Sequence, residues 1–329
     1  MKAAFILQPG PPDTIQFGDL PTPKPTGSQV RIRVEAVAVN PIDTYVRSGA
    51  VRMELPQPFI VGCDLAGVVE AVGPRATRFR IGDRVWGSNQ GLLGRQGTFA
   101  EFACVDDCWL HPTPACVSAE TAAAGALVGI TAHLGLVQQA GLQPDEVILV
   151  NGASGAVGCT VVQMARLLGA RVIATVGSPD RAEAVRALGA ELVLDRRTAN
   201  LATEVRQHFP DGVNVWWETS REPNFDRAVA ALAPKGRFIL MAGRDARPPF
   251  PVGPFYVKGC SLRGFAMFAV PAEEQRPAGN SLNSWMAAGQ LRPRIARVLP
   301  LSETATAHRL QEENTLGAGG QAGKLVLVP

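Results

Sequence analysis

The chain has 329 residues, 46% of them hydrophobic, and a formal net charge of +3 at pH 7. That length and apolar content suggest one large or two medium globular domains with a sizeable core. The scattered Lys and Arg leave no basic stripe for nucleic acid and no basic amphipathic helix for a membrane surface, and no apolar run approaches the roughly 20 residues of a membrane span.

The N-terminal stretch breaks at Pro9, too short for a signal peptide. The six cysteines, at 63, 104, 108, 116, 159 and 260, therefore read as reduced thiols of a cytoplasmic protein. The first third is β-rich. In "QVRIRVEAV" (29–37), Val30, Ile32 and Val34 alternate with Arg31, Arg33 and Glu35, the pattern of a half-buried strand. "AGVVEAVG" (66–73), "GDRVWG" (82–87) and "GTFAEFACV" (97–105) follow as short apolar pieces bounded by glycine, which suggests a small barrel-like antiparallel fold. After Pro114 a long Ala-rich helix pattern covers 118–141. Strand and helix patterns then alternate: strands over 145–153, 171–176, 191–195, 213–219 and 237–243, helices over 155–170, 179–190, 201–209 and 225–236. That series predicts a doubly wound parallel sheet. The tail reads as two strands around a helix, and a final strand commonly returns to an earlier sheet. The fold class is thus α/β. A β-rich domain made of 1–122 and 268–329 is expected to enclose a dinucleotide-binding domain over 123–267.

The strongest chemical signal is "VILVNGASGAVGCTVVQMARLLGA" (147–170), a strand, glycines at 152, 155 and 158, then helical spacing. Read against G-x-G-x-x-G, Ala153 stands in the first glycine place. Gly155 would let backbone approach a pyrophosphate at the positive end of the helix, and Gly158 would allow close packing of helix on strand. NAD enzymes usually carry an acid about 20 residues further on. Here the next strand ends Thr175, Val176, Gly177, Ser178. Ser178 could bond a 2′-phosphate and Arg181 and Arg196 could pair with its charge, so the pattern favours NADPH. Asp180 fits the first turn of a helix instead.

With "VNPIDTYVRSG" (39–49), "GCDLAGVVEAVG" (62–73), "GDRVWG", "GASGAVG" (152–158) and "GKLVLVP" (323–329) in order, the chain resembles a medium-chain dehydrogenase/reductase, and more closely the zinc-free, zeta-crystallin-like quinone oxidoreductases. The resemblance implies a GroES-like catalytic domain, a Rossmann domain, a cleft between them, NADPH and a homodimer. By position it implies cofactor contacts from Tyr45, Ser154, Gly155, Ala156, Val157, Gly177, Arg196, Gly243 and Met267, with Asn40 and Tyr45 facing the substrate. Ala156 departs from the family's second glycine, and "VWWETSREPNFD" (215–226) from its D-x-V-G pattern. The Trp216–Trp217 pair reads as core.

Zinc-dependent relatives hold the catalytic metal with three protein ligands and keep one position open. The resemblance puts Asn40 and Cys63 at two ligand positions and the ligand-free segment 126–132 at the third. No catalytic metal is expected, with Cys63 a small buried hydrophobe and Asp64 a brace for the turn. "CVDDCWLHPTPAC" (104–116) gathers four potential ligands, Cys104, Cys108, His111 and Cys116, but lacks a C-x-x-C pair, and the lobe 87–97 has no Cys. Without a Lewis acid, the site suits acceptors that are already electrophilic. The expected function is hydride transfer from NADPH to a quinone, with Asn40 and Tyr45 as hydrogen-bond donors. Two alternatives are reduction of α,β-unsaturated carbonyls, and a non-catalytic NADPH-binding protein.

Overall fold

A computed structural model describes residues 1–198, 200–316 and 322–329. In chain order the main elements are β1 (Lys2–Ile6), β2 (Gln16–Asp19), β3 (Gln29–Ala38), α1 (Pro41–Ser48), β4 (Phe59–Ile60), β5 (Leu65–Val72), β6 (Arg84–Gly87), β7 (Phe102–Asp106), β8 (Leu110–Pro112) and α2 (Ala119–His133). They continue with β9 (Val147–Asn151), α3 (Ala156–Leu167), β10 (Arg171–Val176), α4 (Ala182–Ala187), β11 (Leu192–Asp195), α5 (Leu201–His208), β12 (Val213–Glu218), α6 (Phe225–Ala231), β13 (Leu232–Leu240), α7 (Val252–Val257) and β14 (Ser261–Gly264). The last are α8 (Ala272–Ala287), β15 (Ile295–Pro300), α9 (Thr304–Leu316) and β16 (Lys324–Val328). The chain divides into two compact units, Met1–Val128 with Val270–Pro329, and Gly129–Ala269.

The first unit holds a three-stranded sheet, β2-β1-β4, and a seven-stranded sheet ordered β15-β16-β3-β5-β6-β8, with β7 also on β3. In β3 the alternation works as expected. Val30, Ile32 and Val34 are buried, while Arg31 faces out to pair with Glu70 at 3.0 Å. The strand β16 enters this sheet between β15 and β3, running antiparallel to β3 with Val326 opposite Ala38 and Leu327 opposite Val37. Extending that register sets Lys324 opposite Asn40. The 87–97 lobe is fastened by Arg95, whose Nε donates to the Asn89 carbonyl at 2.8 Å and whose guanidinium lies 4.8 Å from the centre of the Trp109 ring.

The second unit is a six-stranded parallel sheet, β11-β10-β9-β12-β13-β14. All its loops that follow strands emerge at one edge, where the order reverses between β9 and β12. Trp216 and Trp217 sit on opposite faces of β12, both buried. Trp216 stacks with Phe238, and Trp217 meets Phe265 edge-on.

Three expectations are corrected here. The helix expected over 225–236 stops at Ala231, and β13 begins at Leu232. Lys235 takes φ 61°, which no helix tolerates, and Leu232 pairs with Val213 across a register shift. The long helix over 118–141 becomes a π-turn at Leu134–Gln139, where a side chain at Gly135 would collide with the Trp217 ring. That segment also overturns the reading that no apolar run nears a span's length: Ala119–Gln139 is 21 residues, with an 18-residue window of mean hydropathy 1.3. Its most apolar window is 78% buried inside the protein, as in a core helix.

Candidate active site

In the second unit the phosphate loop follows β9. Gly155 is the N-cap of α3 in extended backbone. A Cβ built on it meets only the Gly152 carbonyl, at 3.5 Å, so the space over it is open. A Cβ on Gly158 would collide with that same carbonyl, which is why helix and strand can approach there. The first N–H groups of α3 have no partner within the helix and point out of its positive end. Ser154, Ala156 and Val157 flank this opening, Ser154 being mostly buried.

A buried polar network fixes the loop from below. The Gly152 N–H donates to Thr175 Oγ1 at 3.1 Å, and Thr175 Oγ1 donates to Asn151 Oδ1 at 2.7 Å. Asn151 Nδ2 donates to Glu218 Oε1 at 2.8 Å. Trp216 Nε1 donates to Glu218 Oε2 at 3.0 Å, and the Ser220 N–H reaches Oε1 at 2.8 Å. Glu218 is fully buried and ties the ends of β9 and β12, with β10 joined through Asn151. Sequence reasoning missed it, and the one signal was an acid ending a strand of apolar residues.

At the tip of β10 a Cβ on Gly177 would lie 3.2 Å from Arg196 Nε. The structure therefore brings Gly177 and Arg196 together, with half-buried Ser178 and Arg181 on the following turn. Asp195 is tied chiefly by Arg197, at 2.6 Å, whose hydrogen bonds hold its carboxyl down to about 2, with the charge of Arg196 adding a smaller part. The Arg227 guanidinium donates to the backbone carbonyls of Arg196 and Thr198, fixing the loop's course. Gly243 follows β13 at φ 84°, and Met267 is buried in the turn Met267–Ala269 after β14.

In the first unit a different cluster stands at the start of α1. Asn40 precedes the helix, and its N–H donates to Asp43 Oδ2 at 2.7 Å, half of a capping box. The Asn40 side chain is fully used: Nδ2 donates to the Ala38 carbonyl at 3.1 Å and to Asp64 Oδ2 at 2.8 Å, while Oδ1 accepts from Lys324 Nζ. Lys324 Nζ also donates to the Val39 carbonyl at 2.7 Å and lies 3.8 Å from Asp64 Oδ2. Ser88 Oγ donates to Asp64 Oδ1 at 2.6 Å. Asp64 braces the turn, as expected. Cys63 is buried but is more than a hydrophobe, because its thiol lies beside Asp43. Burial pushes that thiol up, and burial, with Asp64 adding its charge, pushes the Asp43 carboxyl up to about 7. Tyr45 sits half-buried on α1. Asn40 cannot serve as a free donor to a substrate, since both its amide hydrogens are engaged; its part is to fix the turn that launches α1 and Tyr45.

Comparison with known proteins agrees with this construction. Residues 26–115 match the alcohol dehydrogenase GroES-like domain, and residues 156–282 match the family described as zinc-binding dehydrogenase. The chain is 32% identical to the quinone oxidoreductase of Sus scrofa, over 100% of this chain and 98% of that one. It is 29% identical to a 2-haloacrylate reductase of a Burkholderia species, over 100% and 99%. The crystal structure of an Escherichia coli quinone oxidoreductase complexed with NADPH superposes with a TM-score of 0.87 at 25% identity, over 100% of both chains. The chain belongs to the medium-chain dehydrogenase/reductase superfamily, in its zeta-crystallin-like quinone oxidoreductase family.

Proposed function

We propose that this protein is an NADPH-dependent oxidoreductase that reduces a quinone without zinc. The observation that carries the reading is the open phosphate loop at the carboxyl edge of the parallel sheet, with Arg196 beside Gly177. Bound there, NADPH would supply hydride, and the quinone would become a hydroquinone with one further proton from solvent. The α3 N-terminus with Ser154, Gly155, Ala156 and Val157 would hold the pyrophosphate. Gly177, Ser178, Arg181 and Arg196 would hold the 2′-phosphate, and Gly243 and Met267 the nicotinamide half. Tyr45 would face the acceptor and move or hold the proton.

The residues at the relatives' metal position do not suit zinc. Lys324 sets a cationic donor against Asn40 and Asp64, and the Cys63 thiol is pushed up by burial rather than ionised. Among the described residues no group of three or more His, Cys, Asp or Glu could hold a metal ion. The domain limits proposed are 1–122 with 268–329, and 123–267. A homodimer is proposed from the open edge strand β14 beside exposed Val252, Tyr256, Val257 and Leu262, and the cytoplasm is the proposed compartment.

The test is cofactor consumption by purified, chelator-treated protein with a small para-quinone, a conjugated aldehyde, and NADPH or NADH. Fast quinone-dependent loss of NADPH but not NADH is expected, and Arg196→Glu should lower the NADPH preference roughly tenfold to a hundredfold. Preference for the aldehyde, the reading favoured by the 2-haloacrylate reductase relative, keeps fold and cofactor and changes the substrate. Tight NADPH binding with no turnover points to a binding protein, and activity lost to chelator and restored by zinc overturns the metal-free reading. Two glycine variants separate binding from folding. Gly155→Ala has room and should fold normally while weakening NADPH binding. Gly158→Ala should cost about 1–3 kcal/mol of stability through overpacking, read by urea unfolding.

A further inference from the structure

We propose that Asn89 contacts the substrate, its buried carboxamide donating a hydrogen bond to the oxygen of the electron-accepting carbonyl. This deepens the proposed function and rests on it. Four non-glycine residues among those described have positive φ: Asn89 at 67°, Leu93, Asp145 and Lys235. The last three are exposed, whereas Asn89 is fully buried. Asn tolerates the left-handed region better than most residues, so its backbone alone is a mild departure. Its side chain is the larger one: neither Nδ2 nor Oδ1 has a hydrogen-bond partner. A buried amide without partners is costly, and a residue that also sits in a sparsely populated conformation holds a cost that glycine would remove.

The surroundings impose that cost. Arg95 Nε grips the Asn89 carbonyl at 2.8 Å. On one side the Gln90 N–H is bound to the Cys63 carbonyl at 3.2 Å. On the other, Ser88 Oγ is bound to Asp64 at 2.6 Å. Asn89 therefore stands between two residues anchored to the 63–64 turn, the turn that the resemblance sets at the metal position of zinc-dependent relatives. Asn40, in the same network, has no hydrogen left to give. Asn89 has two. An acceptor oxygen gathers negative charge as hydride arrives, and a fixed N–H in a dry site stabilises it more than water does.

The test compares Asn89→Gly and Asn89→Ser with wild type in quinone kinetics, NADPH binding by nicotinamide fluorescence, and thermal unfolding. Asn89→Gly should keep or raise the unfolding midpoint, bind NADPH within twofold of wild type, and lose at least tenfold in kcat/KM for the quinone. Asn89→Ser, which keeps a donor, should recover part of that loss. A glycine variant with kcat/KM within threefold of wild type overturns the proposal, as does a loss of activity that tracks a lowered midpoint, the mark of a structural amide. A wild-type protein that turns over no acceptor removes the functional reading itself, a result distinct from either.

Discussion

Lys324→Met is expected to cost about 3–5 kcal/mol, the range for removing one partner of a buried ion pair. The side chain is 4% exposed and Asp64 is fully enclosed. Burial drives the two pKa values toward each other, Asp64 up and Lys324 down. Each is held toward its charged form by the other, and Asp64 also by the hydrogen bonds from Ser88 and Asn40. Removing the cation leaves a buried carboxylate facing Asn40 with no counter-charge, and takes the donor from two oxygens, Val39 O and Asn40 Oδ1. Adding Asp64→Asn should recover part of the loss, because the pair is coupled. Urea unfolding of the two single variants and the double variant measures this. A loss under about 1 kcal/mol for Lys324→Met would show that the pair is not desolvated as the structure has it.

The same cluster shows where sequence stops being legible. The strand–loop–helix of 147–170 could be read directly because its signals are local: an apolar run, three glycines and a helical repeat. The alternation in β3 is equally local. Lys324 reaches Asn40 across 284 residues of chain, through a strand register that no short window contains. Its neighbours were misweighted for the same reason. Asn40 reads as a donor in isolation, and only the fold reveals that Ala38, Asp64 and Lys324 have claimed its side chain. Cys63 reads as a small hydrophobe, and only α1 brings Asp43 beside it. Asn89 gave no sequence signal, since "SNQG" is an ordinary turn until burial removes the water that would satisfy its amide. In the second unit Arg196 was legible as a cation after a strand, but its approach to Gly177 depends on β10 and β11 lying side by side.

Stability should fall as the pH drops below about 6.5, because burial pushes down the rings of His308, His111 and His133. His308 is fully buried on α9 with neither ring nitrogen hydrogen-bonded. Burial, with the Arg47 guanidinium adding repulsion, pushes it down to about 3. His111 stacks on Trp86 at 4.5 Å, and burial, with Arg78 and Arg276 adding, pushes it down to about 4. Below 6.5 the unfolded chain protonates both while the native state protonates neither, so each removes about 1.4 kcal/mol per pH unit until its folded pKa is reached. Asp43 acts the other way. Its folded pKa is raised to about 7 from 3.8, so between those values the native state binds the extra proton and gains as pH falls. At pH 5 the unfolded state holds two protons on these three groups and the native state one, so the three together lose about 1.4 kcal/mol per unit of acidification, a loss to which His133 adds and which Asp64, pushed up by burial, opposes. His308→Leu should flatten the slope by about 1.4 kcal/mol per unit between pH 6 and 4, and it should raise neutral-pH stability by removing two unpartnered nitrogens. Asp43→Asn should steepen the slope by about 1.4 kcal/mol per unit. Urea midpoints taken every half pH unit read all three slopes, and parallel curves for wild type and His308→Leu would mean that His308 finds a partner or a proton in the native state.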